Sequence, residues 1–335
     1  MTAPPRNRIL NGTVLRVSRG EYVVETDHGT FRCKLRGKLR KELIYSTSKS
    51  RARRVQRVQA TQTRAPVSVG DHVHIRLLGS DTAVIEEILR DDDQTWGIIR
   101  QAPESKRAHV LAANVDQIVI VLAAAQPEPD FTLLDRYLVI AEYHDLPTFL
   151  VLNKIDLSMT PQIEEELSIY ARVGYKILHT SAETGSGMSQ LRECLQGNRS
   201  VFSGVSGVGK SSLINRLAAS AALPIGAVGA KGEGRHITTR SETIVLDDET
   251  HVMDTPGLRK LSSWSIEPED LPHLFPEVRA LMGQCRFRDC AHIDEPACAV
   301  RSAQEAARMA ERRYKSYVLF HHELTAQNLT PWEQA

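Results

Sequence analysis

The sequence lacks any hydrophobic run long enough to cross a membrane, and it has few cysteines. The longest apolar run, residues 118–125, has eight residues, whereas a membrane-spanning helix needs roughly 20. Residues 1–20 contain four arginines and no apolar segment, which argues against a secretory signal. The 5 cysteines exclude a disulfide scaffold, and 41% hydrophobic residues exclude a mostly disordered chain. We therefore expect a cytoplasmic globular protein of two or three domains without a membrane partner.

Charge is distributed unevenly along the 335 residues. The whole chain has 42 Lys+Arg and 41 Asp+Glu, for a net charge of +1. Residues 1–90 hold 18 basic and 8 acidic side chains, a surplus of +10, which leaves −9 for the remainder. A basic end beside an acidic body predicts a nucleic-acid contact confined to one domain. A basic surface that is merely solvated is the alternative.

The basic N-terminal segment has the pattern of a small β-domain. Short runs of alternating apolar and polar residues, near 12–17, 22–26, 31–35, 72–78 and 82–88, are separated by turns. This spacing favours a barrel or a sandwich. Between the runs, residues 46–66 are rich in Ser, Thr, Gln and Arg, which predicts a flexible basic loop.

Residues 107–260 alternate strand and helix patterns, which predicts a parallel sheet with helices on both faces. Within them, residues 204–211 match the phosphate-loop pattern in full, after a short strand and before a helix. Lys210 would pair with the β- and γ-phosphates, and Ser211 would ligate Mg²⁺. A glycine-rich turn that binds nothing is the alternative. The predicted phosphate-binding residues are Gly204, Val205, Ser206, Gly207, Val208, Gly209, Lys210, Ser211 and Ser212.

A guanine-recognition motif ends the strand at 148–152. The Asp156 carboxylate can accept hydrogen bonds from guanine N1 and N2, which adenine cannot offer. Lys154 can lie over the base, and Asn153 can tie neighbouring loops together. After the next strand, Ser181 can hold Asp156, and the Ala182 N–H can donate to guanine O6. Although such motifs also cap helices, together with the phosphate loop they predict GTP binding by Asn153, Lys154, Ile155, Asp156, Ser181 and Ala182.

A third motif, Asp254-Thr-Pro-Gly257, follows a predicted strand at 251–253. Asp254 can reach the Mg²⁺ shell, and the Gly257 N–H can sense the γ-phosphate. Either Thr238 or Thr239 would complete the Mg²⁺ coordination. In an ordinary small GTPase the phosphate loop comes before the Asn-Lys-x-Asp motif, whereas in this chain the phosphate loop comes after that motif. The order predicts a circularly permuted domain.

The residue that activates water is not the usual one. Many GTPases carry a Gln directly after Asp-x-x-Gly, and Leu258 stands there in this chain. His236, in the segment before Thr238, is the candidate catalytic residue because imidazole titrates near neutral pH. Alternatively, His236 contacts a partner or is only solvated, and Arg235 or Arg240 supplies charge to the γ-phosphate.

A Cys/His cluster follows a proline-rich connector near residue 270. Cys285, Cys290, His292 and Cys298 provide three thiolates and one imidazole, a complete tetrahedral set for a structural Zn²⁺. A disulfide or unpaired thiols are the alternatives. Cys33 and Cys194 are predicted to be core residues. A long helix is predicted at 301–324.

Basic and aromatic residues around the cluster and on this helix have two interpretations, an RNA contact or a solvated face. These residues are Arg286, Phe287, Arg288, Arg308, Arg312, Arg313, Tyr314, Lys315 and Tyr317.

These features resemble the RsgA (YjeQ) family of small-ribosomal-subunit-dependent GTPases over nearly the whole chain. Further marks of the resemblance are Leu35-Arg-Gly-Lys-Leu-Arg40, Val69-Gly-Asp71 and Ala113-Asn-Val-Asp-Gln117. The resemblance implies an OB-like RNA-binding barrel at 1–92, a circularly permuted P-loop GTPase domain at 100–262 and a zinc-binding α-helical domain at 263–335. It supports His236 as the catalytic residue, one structural Zn²⁺, and Mg²⁺ bound with GTP. The chain departs where three threonines commonly follow the histidine, since it has Ile-Thr-Thr.

The resemblance also implies the function. We expect a monomeric GTPase that binds the small ribosomal subunit and its rRNA and assists late maturation, with GTP hydrolysis stimulated by the subunit and coupled to release. A second hypothesis is a GTP-gated RNA-binding scaffold in which hydrolysis is incidental. The missing Gln favours the scaffold slightly, whereas His236 and the intact Mg²⁺ positions count against it. Work on the large subunit or on membranes is a third, less supported hypothesis.

Overall fold

The computed structural model describes residues 8–18, 20–36, 39, 41–45, 55–60, 67–89, 97–102, 105–157, 159–220, 241–247, 249–254 and 266–328. The chain folds into two compact units. The barrel unit comprises residues 1–116, 197–201 and 220–258, and the α/β unit comprises residues 117–196, 202–219 and 259–335. Within the described ranges, no helix combines the length and apolarity that crossing a membrane requires.

Fifteen strands and seven α-helices make up the described parts of the two units. The strands are β1 (Ile9–Ser18), β2 (Glu21–Thr26), β3 (Gly29–Leu35), β4 (Lys41–Tyr45), β5 (Val55–Ala60), β6 (His72–Leu77), β7 (Thr82–Leu89), β8 (Gly97–Ala102), β9 (Ser105–Ala113), β10 (Gln117–Ala123), β11 (Thr148–Asn153), β12 (Lys176–His179), β13 (Arg199–Ser203), β14 (Ser241–Val245) and β15 (His251–Asp254). The helices are α1 (Phe131–Tyr143), α2 (Pro161–Val173), α3 (Met188–Leu195), α4 (Lys210–Ala219), α5 (Pro276–Arg279), α6 (Ala299–Glu305) and α7 (Glu311–Asn328), with a 3₁₀ helix at Pro268–Leu274.

Five strands of the barrel unit close on themselves. They pair in the order β1-β2-β3-β7-β6, and β6 pairs back to β1. Along β3, Phe31, Cys33 and Leu35 point into the core while Arg32 and Lys34 are exposed, as the period of a β-strand requires. Burial raises the pKa of the Cys33 thiol to about 12, so this cysteine is the inert core residue that was predicted. The predicted OB-like barrel is confirmed.

Two of the segments that resemble the RsgA family contact each other in the barrel unit. The Ala113 N–H donates to the Val69 carbonyl at 2.9 Å, and Asn114 Nδ2 donates to the Gly70 carbonyl at 2.9 Å. Gly70 has φ +88°, and a Cβ there would lie 2.2 Å from the Ala113 oxygen. Only glycine allows this approach, which explains the Val-Gly-Asp sequence at this point.

Part of the predicted basic loop is a strand. Residues 55–60 form β5, which pairs antiparallel with β4 in register Leu43 with Val58. The prediction of an unstructured loop over 46–66 is therefore wrong for 55–60, while residues 46–54 and 61–66 lie outside the described residues. The β8–β9 hairpin was not predicted at all.

The α/β unit contains a parallel sheet in the order β12-β11-β10. Every residue of β10 is buried, the pattern of a strand covered on both faces. Asp130 begins α1 by accepting a hydrogen bond from the Leu133 N–H at 2.9 Å. The predicted parallel α/β arrangement is confirmed for these strands.

The C-terminal helices pack onto α1 within the same unit. Val139 of α1 shares a hydrophobic cluster with Phe275, Tyr317 and Phe320. The helix predicted at 301–324 is in fact two, because α6 ends at Glu305 and α7 begins at Glu311. Ala307 between them adopts φ +54°, and Met309 is buried in the same cluster. The break between α6 and α7 therefore coincides with a left-handed backbone position and a buried side chain, in a segment whose composition favours a continuous helix.

Candidate nucleotide and metal sites

The segment after β13 has the backbone of a phosphate-binding loop. Gly204, Gly207 and Gly209 have φ values of +134°, +86° and +94°. A Cβ on Gly204 would lie 2.2 Å from the Val121 oxygen, and one on Gly209 would lie 2.3 Å from Asn153 Nδ2. The loop then enters α4 at Lys210, so backbone N–H groups gather at a helix N-terminus, where anions bind favourably.

Lys210 is held against this loop. Its side chain is 7% exposed, and Nζ donates to the carbonyls of Gly204 at 2.7 Å and Val205 at 2.9 Å. A buried ammonium group needs such partners. The arrangement places the positive charge beside the loop, while Ser211 and Ser212 in the first turn of α4 are exposed. The three residues lie where the motif predicts them.

Asn153 connects three loops of the α/β unit. It is fully buried at the end of β11, and Nδ2 donates to the Val208 carbonyl at 2.9 Å. Its Oδ1 accepts from the Ala182 N–H at 3.2 Å and from the Thr180 hydroxyl at 3.3 Å. The expectation that Asn153 ties neighbouring loops together therefore matches its contacts.

Two other members of the Asn-Lys-x-Asp motif, Lys154 and Asp156, make hydrogen bonds to neighbouring loops. The Ser181 hydroxyl donates to Asp156 Oδ1. The loop after β12 therefore orients the exposed Asp156 side chain. Lys154 has φ +62°, and its Nζ donates to the Gln126 carbonyl. The Ala182 N–H donates to Asn153 here, so its contact with guanine O6 stays a prediction.

Arg216 of α4 also supports this site. Its Nη1 donates to the Ala182 carbonyl at 2.6 Å and to the Glu183 carbonyl at 2.9 Å. The guanidinium covers Gly185, where a Cβ would lie 2.6 Å from Nη2. Sequence analysis missed Arg216 because no local motif marks a contact between segments more than 30 residues apart.

Several predicted site residues lie outside the part of the chain that the structure describes. His236, Thr238, Thr239 and Gly257 fall in the undescribed ranges 221–240 and 255–265. Asp254 ends β15 in the barrel unit, where it stands opposite Glu242 of β14. The roles of all five residues stay predictions.

Cys285, Cys290, His292 and Cys298 come together as the sequence predicts. Their ligand atoms all lie within 4.8 Å of one another. His292 Nδ1 is 3.4 Å from Cys285 Sγ and 3.5 Å from Cys298 Sγ, and the two sulfurs are 4.0 Å apart. Tetrahedral coordination with a metal–sulfur bond of 2.3 Å separates two sulfurs by about 3.8 Å. The cluster can therefore hold a metal ion, and its cysteines are free of disulfides.

The loop around this cluster is fixed by α7. The Tyr317 hydroxyl donates to the Ala291 carbonyl at 2.7 Å, and the Tyr314 hydroxyl donates to the His292 carbonyl at 3.0 Å. Glu295 accepts from the Ala291 and Ile293 N–H groups at 2.6 and 3.0 Å. Burial opposes ionisation of Glu295, but these N–H donors outweigh it and lower its pKa. The carboxylate therefore remains charged and holds the turn between the metal-binding positions.

The structure corrects two other groups of predictions. For Arg313 and Tyr317 the sequence left both an RNA contact and a solvated face open, but the two residues are only 1% and 0% exposed, which contradicts both. Arg312, for which the same two alternatives were open, is bound to carboxylates of the same unit. Phe287 remains exposed, with Arg286 stacked 5.6 Å from its ring centroid. Cys194 is only partly buried and lies 3.0 Å from Lys176 Nζ, so its prediction as a core residue is wrong.

Comparisons with known proteins agree with this architecture. The RsgA GTPase family profile matches residues 94–264. Small ribosomal subunit biogenesis GTPase RsgA 2 of Bacteroides thetaiotaomicron is 35% identical over 314 residues, which cover 92% of this chain and 95% of that protein. RsgA of Chlorobaculum parvum is 36% identical over 319 residues, covering 93% of this chain and 97% of its own length.

Two solved structures resemble the whole chain. YjeQ from Thermotoga maritima superposes with a TM-score of 0.68 at 32% identity, covering 95% of this chain and 99% of that one. YloQ, described as a circularly permuted GTPase, gives a TM-score of 0.65 at 27% identity, and the match covers 96% of this chain and 97% of that one. Together with a closed five-stranded barrel, a phosphate loop that follows the Asn-Lys-x-Asp motif and a Cys₃His cluster, these matches define a circularly permuted GTPase. This chain belongs to the RsgA GTPase family.

Proposed function

We propose that this GTPase binds the small ribosomal subunit and assists its late maturation, with hydrolysis stimulated by the subunit and coupled to release. The observation that carries the proposal is the match to RsgA proteins over more than nine-tenths of both chains, so that barrel, nucleotide site and metal cluster are all present. The proposed domains are residues 1–92, 100–262 and 263–335. The protein would act as a monomer in the cytoplasm, where its subunit partner is assembled.

The nucleotide would lie between the phosphate loop and the loops bonded by Asn153. Lys210 would leave the carbonyls of Gly204 and Val205 to pair with phosphate oxygens, and Asp156 would select guanine. Mg²⁺ would accompany GTP, held by Ser211 and by Thr238 or Thr239. Asp254 and Gly257 would respond to the γ-phosphate, and His236 would activate water because Leu258 cannot.

The metal in the cluster is proposed to be zinc with a structural role. Three thiolates and one imidazole suit Zn²⁺, and the set leaves no position open for water or substrate. The ion would fix the turn between Cys285 and Cys298, which follows α5 and leads directly into α6.

The barrel is proposed to contact rRNA. Arg32 and Lys34 project from the outer face of β3, opposite the buried Phe31, Cys33 and Leu35. Phosphate contacts from such side chains add affinity without sequence preference. The +10 surplus of residues 1–90 would add long-range attraction to the subunit.

GTP hydrolysis measured alone, with small subunits and with large subunits tests the proposal. We expect small subunits to raise turnover by at least tenfold, while large subunits leave it unchanged. Equal rates in all three reactions would reject the proposed function. Single-turnover hydrolysis that is no faster than dissociation from the subunit would instead favour the GTP-gated scaffold.

A further inference from the structure

Two adjacent arginines of α7 converge on one buried carboxylate of α1. Arg312 Nη1 donates to Asp135 Oδ2 at 2.8 Å, and Arg313 Nη1 donates to Asp135 Oδ1 at 2.7 Å. Asp135 is 0% and Arg313 is 1% exposed. Arg313 also donates twice to Glu277 of α5, at 2.6 and 3.0 Å. Buried charges persist only when each is paired, so loss of one partner is strongly disruptive.

Helix α2 joins the same network. The Tyr170 hydroxyl donates to Asp135 Oδ1 at 2.6 Å and accepts from Arg312 Nη2 at 2.7 Å. Burial, followed by the charge of Asp135, raises the pKa of Tyr170, so the hydroxyl keeps its proton at neutral pH. Arg312 Nε donates to Glu166, also on α2. One carboxylate therefore connects α1, α2 and α7.

Helices α1 and α2 flank the strand that carries the candidate guanine motif. Helix α1 ends at Tyr143, β11 ends at Asn153, and α2 begins at Pro161. Helix α1 contacts β10 and α2 contacts β12, and these two strands pair with β11 on either side. Because the unit is close-packed, a shift of α1 against α2 would displace the end of the buried β11. Asn153 would then lose its alignment with Val208 of the phosphate loop, which it contacts at 2.9 Å.

We propose that Asp135 is a positioning residue for guanine-nucleotide binding, which fixes α1 and α2 to α7 and so couples nucleotide affinity to docking of the C-terminal helix. The proposal rests on the GTP site proposed at Asn153 and Asp156. Coupling between two equilibria is reciprocal. Nucleotide that binds the docked arrangement must therefore also stabilise the docking of α7.

A neighbouring ion pair supplies the matched control. Arg136 donates to Glu323 through Nη1 at 2.8 Å and Nη2 at 3.1 Å, which joins α1 to α7 without contact to α2. The Arg136 and Glu323 side chains are 24% and 34% exposed. Loss of this pair removes a bond between the same two helices but leaves α2 in place.

The test compares three full-length variants with the wild type by titration with a fluorescent GDP analogue. Asp135→Asn should weaken GDP binding by about 5-fold or more, the lower end of typical coupling between sites. Tyr170→Phe removes the hydroxyl that bonds α2 to Asp135 and Arg312 but keeps the ring. This variant should also weaken GDP binding, by a smaller factor. Glu323→Gln should bind GDP with an affinity within about 2-fold of the wild type, because the loss of a partly exposed ion pair has a small effect.

Hydrogen exchange measures the reciprocal effect. GDP should slow amide exchange in α7 of the wild type, and Asp135→Asn and Tyr170→Phe should reduce that protection. A merely structural role would lower melting temperature without changing how GDP protects α7. Wild-type GDP affinity in folded Asp135→Asn, or α7 exchange that GDP leaves unchanged, would overturn the proposal.

The Asp156→Asn variant separates this proposal from the GTP site itself. Normal GDP binding by Asp156→Asn would reject the site on which the coupling rests. Loss of GDP binding in Asp156→Asn, with normal binding in Asp135→Asn and Tyr170→Phe, would reject only the positioning role. If Asp135→Asn does not fold, the Tyr170→Phe affinity and exchange data decide.

Discussion

Asn153 donates its side-chain amide to the Val208 carbonyl at 2.9 Å, which joins the guanine motif directly to the phosphate loop. The other end of the amide accepts the Ala182 N–H, so one buried side chain bonds all three loops. In a chain whose motifs occur in permuted order, this contact brings together segments more than 50 residues apart. The loops proposed to recognise guanine and to bind phosphate are therefore held together within the α/β unit.

Asn153→Ala should reduce GDP affinity by about 10- to 100-fold. The substitution leaves the half-buried Ala182 N–H and the buried Val208 carbonyl without their partner, and a buried unpaired group costs about 1–3 kcal/mol. The loops that would contact GDP are then no longer held in one arrangement. Titration with a fluorescent GDP analogue measures the change. Gln190→Ala, which removes an exposed amide from α3, is the control and should bind normally. An Asn153→Ala affinity within twofold of the wild type would contradict the bridging role.

Glu86→Gln should destabilise the barrel at neutral pH and should do so less in acid. Glu86 accepts from Arg36 and from Arg76 Nε, the latter at 2.7 Å. Burial opposes ionisation, but the arginine hydrogen bonds outweigh it and lower the pKa of Glu86 below its ordinary 4.5. Since the folded-state pKa is depressed, the stabilisation is complete above the unfolded-state value and is lost as pH falls through the folded-state value.

Thermal unfolding of wild type and Glu86→Gln at pH 7 and about pH 3.5 measures this effect. A loss of about 1 kcal/mol is expected at pH 7, because the pair is partly exposed, with a smaller loss in acid. Glu87→Gln is the matched control, since the Glu87 side chain is 65% exposed and pairs with His74. A loss of stability in Glu86→Gln that grows as pH falls would contradict the lowered pKa of Glu86.

Features governed by local rules could be predicted from the sequence. The alternation of Phe31, Arg32 and Cys33 sets the two faces of β3, and the glycines of the phosphate loop are placed where the backbone requires positive φ. The Cys₃His spacing likewise predicted a cluster that the fold assembles. Each signal lies within a few residues of the feature that it predicts.

Features that depend on distant partners could not be predicted. Arg313 has the sequence context of a solvated helix face, and its burial depends on Asp135, 178 positions away, and on Glu277. Residues 55–60 contain two valines among polar residues, and their strand exists through pairing with β4. Met309 is a further case, since it lies buried between α6 and α7 where the sequence predicts one continuous helix. In these cases tertiary contacts override the local preference.

Zinc removal should destabilise the protein through the Cys₃His cluster. Purified protein should contain about one zinc per chain, and Cys298→Ser should reduce that content to near zero, because three ligands bind far more weakly than four. Melting temperature should fall by about 5 °C or more, since metal binding contributes directly to folding free energy. Cys194→Ser should keep its metal, because Cys194 lies outside the cluster. Equal zinc content in both variants would contradict the assignment.

Arg32→Ala combined with Lys34→Ala should weaken binding to the small subunit and reduce its salt dependence. Each phosphate contact contributes roughly 0.7–0.9 to the slope of log affinity against log salt, so loss of two should reduce the slope by about 1.5. Binding measured at three or more salt concentrations gives the slope. Arg172→Ala, an exposed arginine of α2, is the control and should leave it unchanged. An unaltered slope in the double variant would place the rRNA contact elsewhere.

His236→Ala should abolish subunit-stimulated hydrolysis while leaving GDP and GTP affinity nearly intact. Leu258 cannot orient water, so removal of the proposed general base should lower stimulated turnover by about 100-fold or more. Single-turnover hydrolysis on saturating small subunits isolates this step from nucleotide and subunit binding. His273→Ala, an exposed histidine of the C-terminal helices, is the matched control and should react at the wild-type rate. If Arg235→Ala or Arg240→Ala loses stimulation and His236→Ala retains it, the stimulated step depends on charge supplied to the γ-phosphate and not on a histidine base.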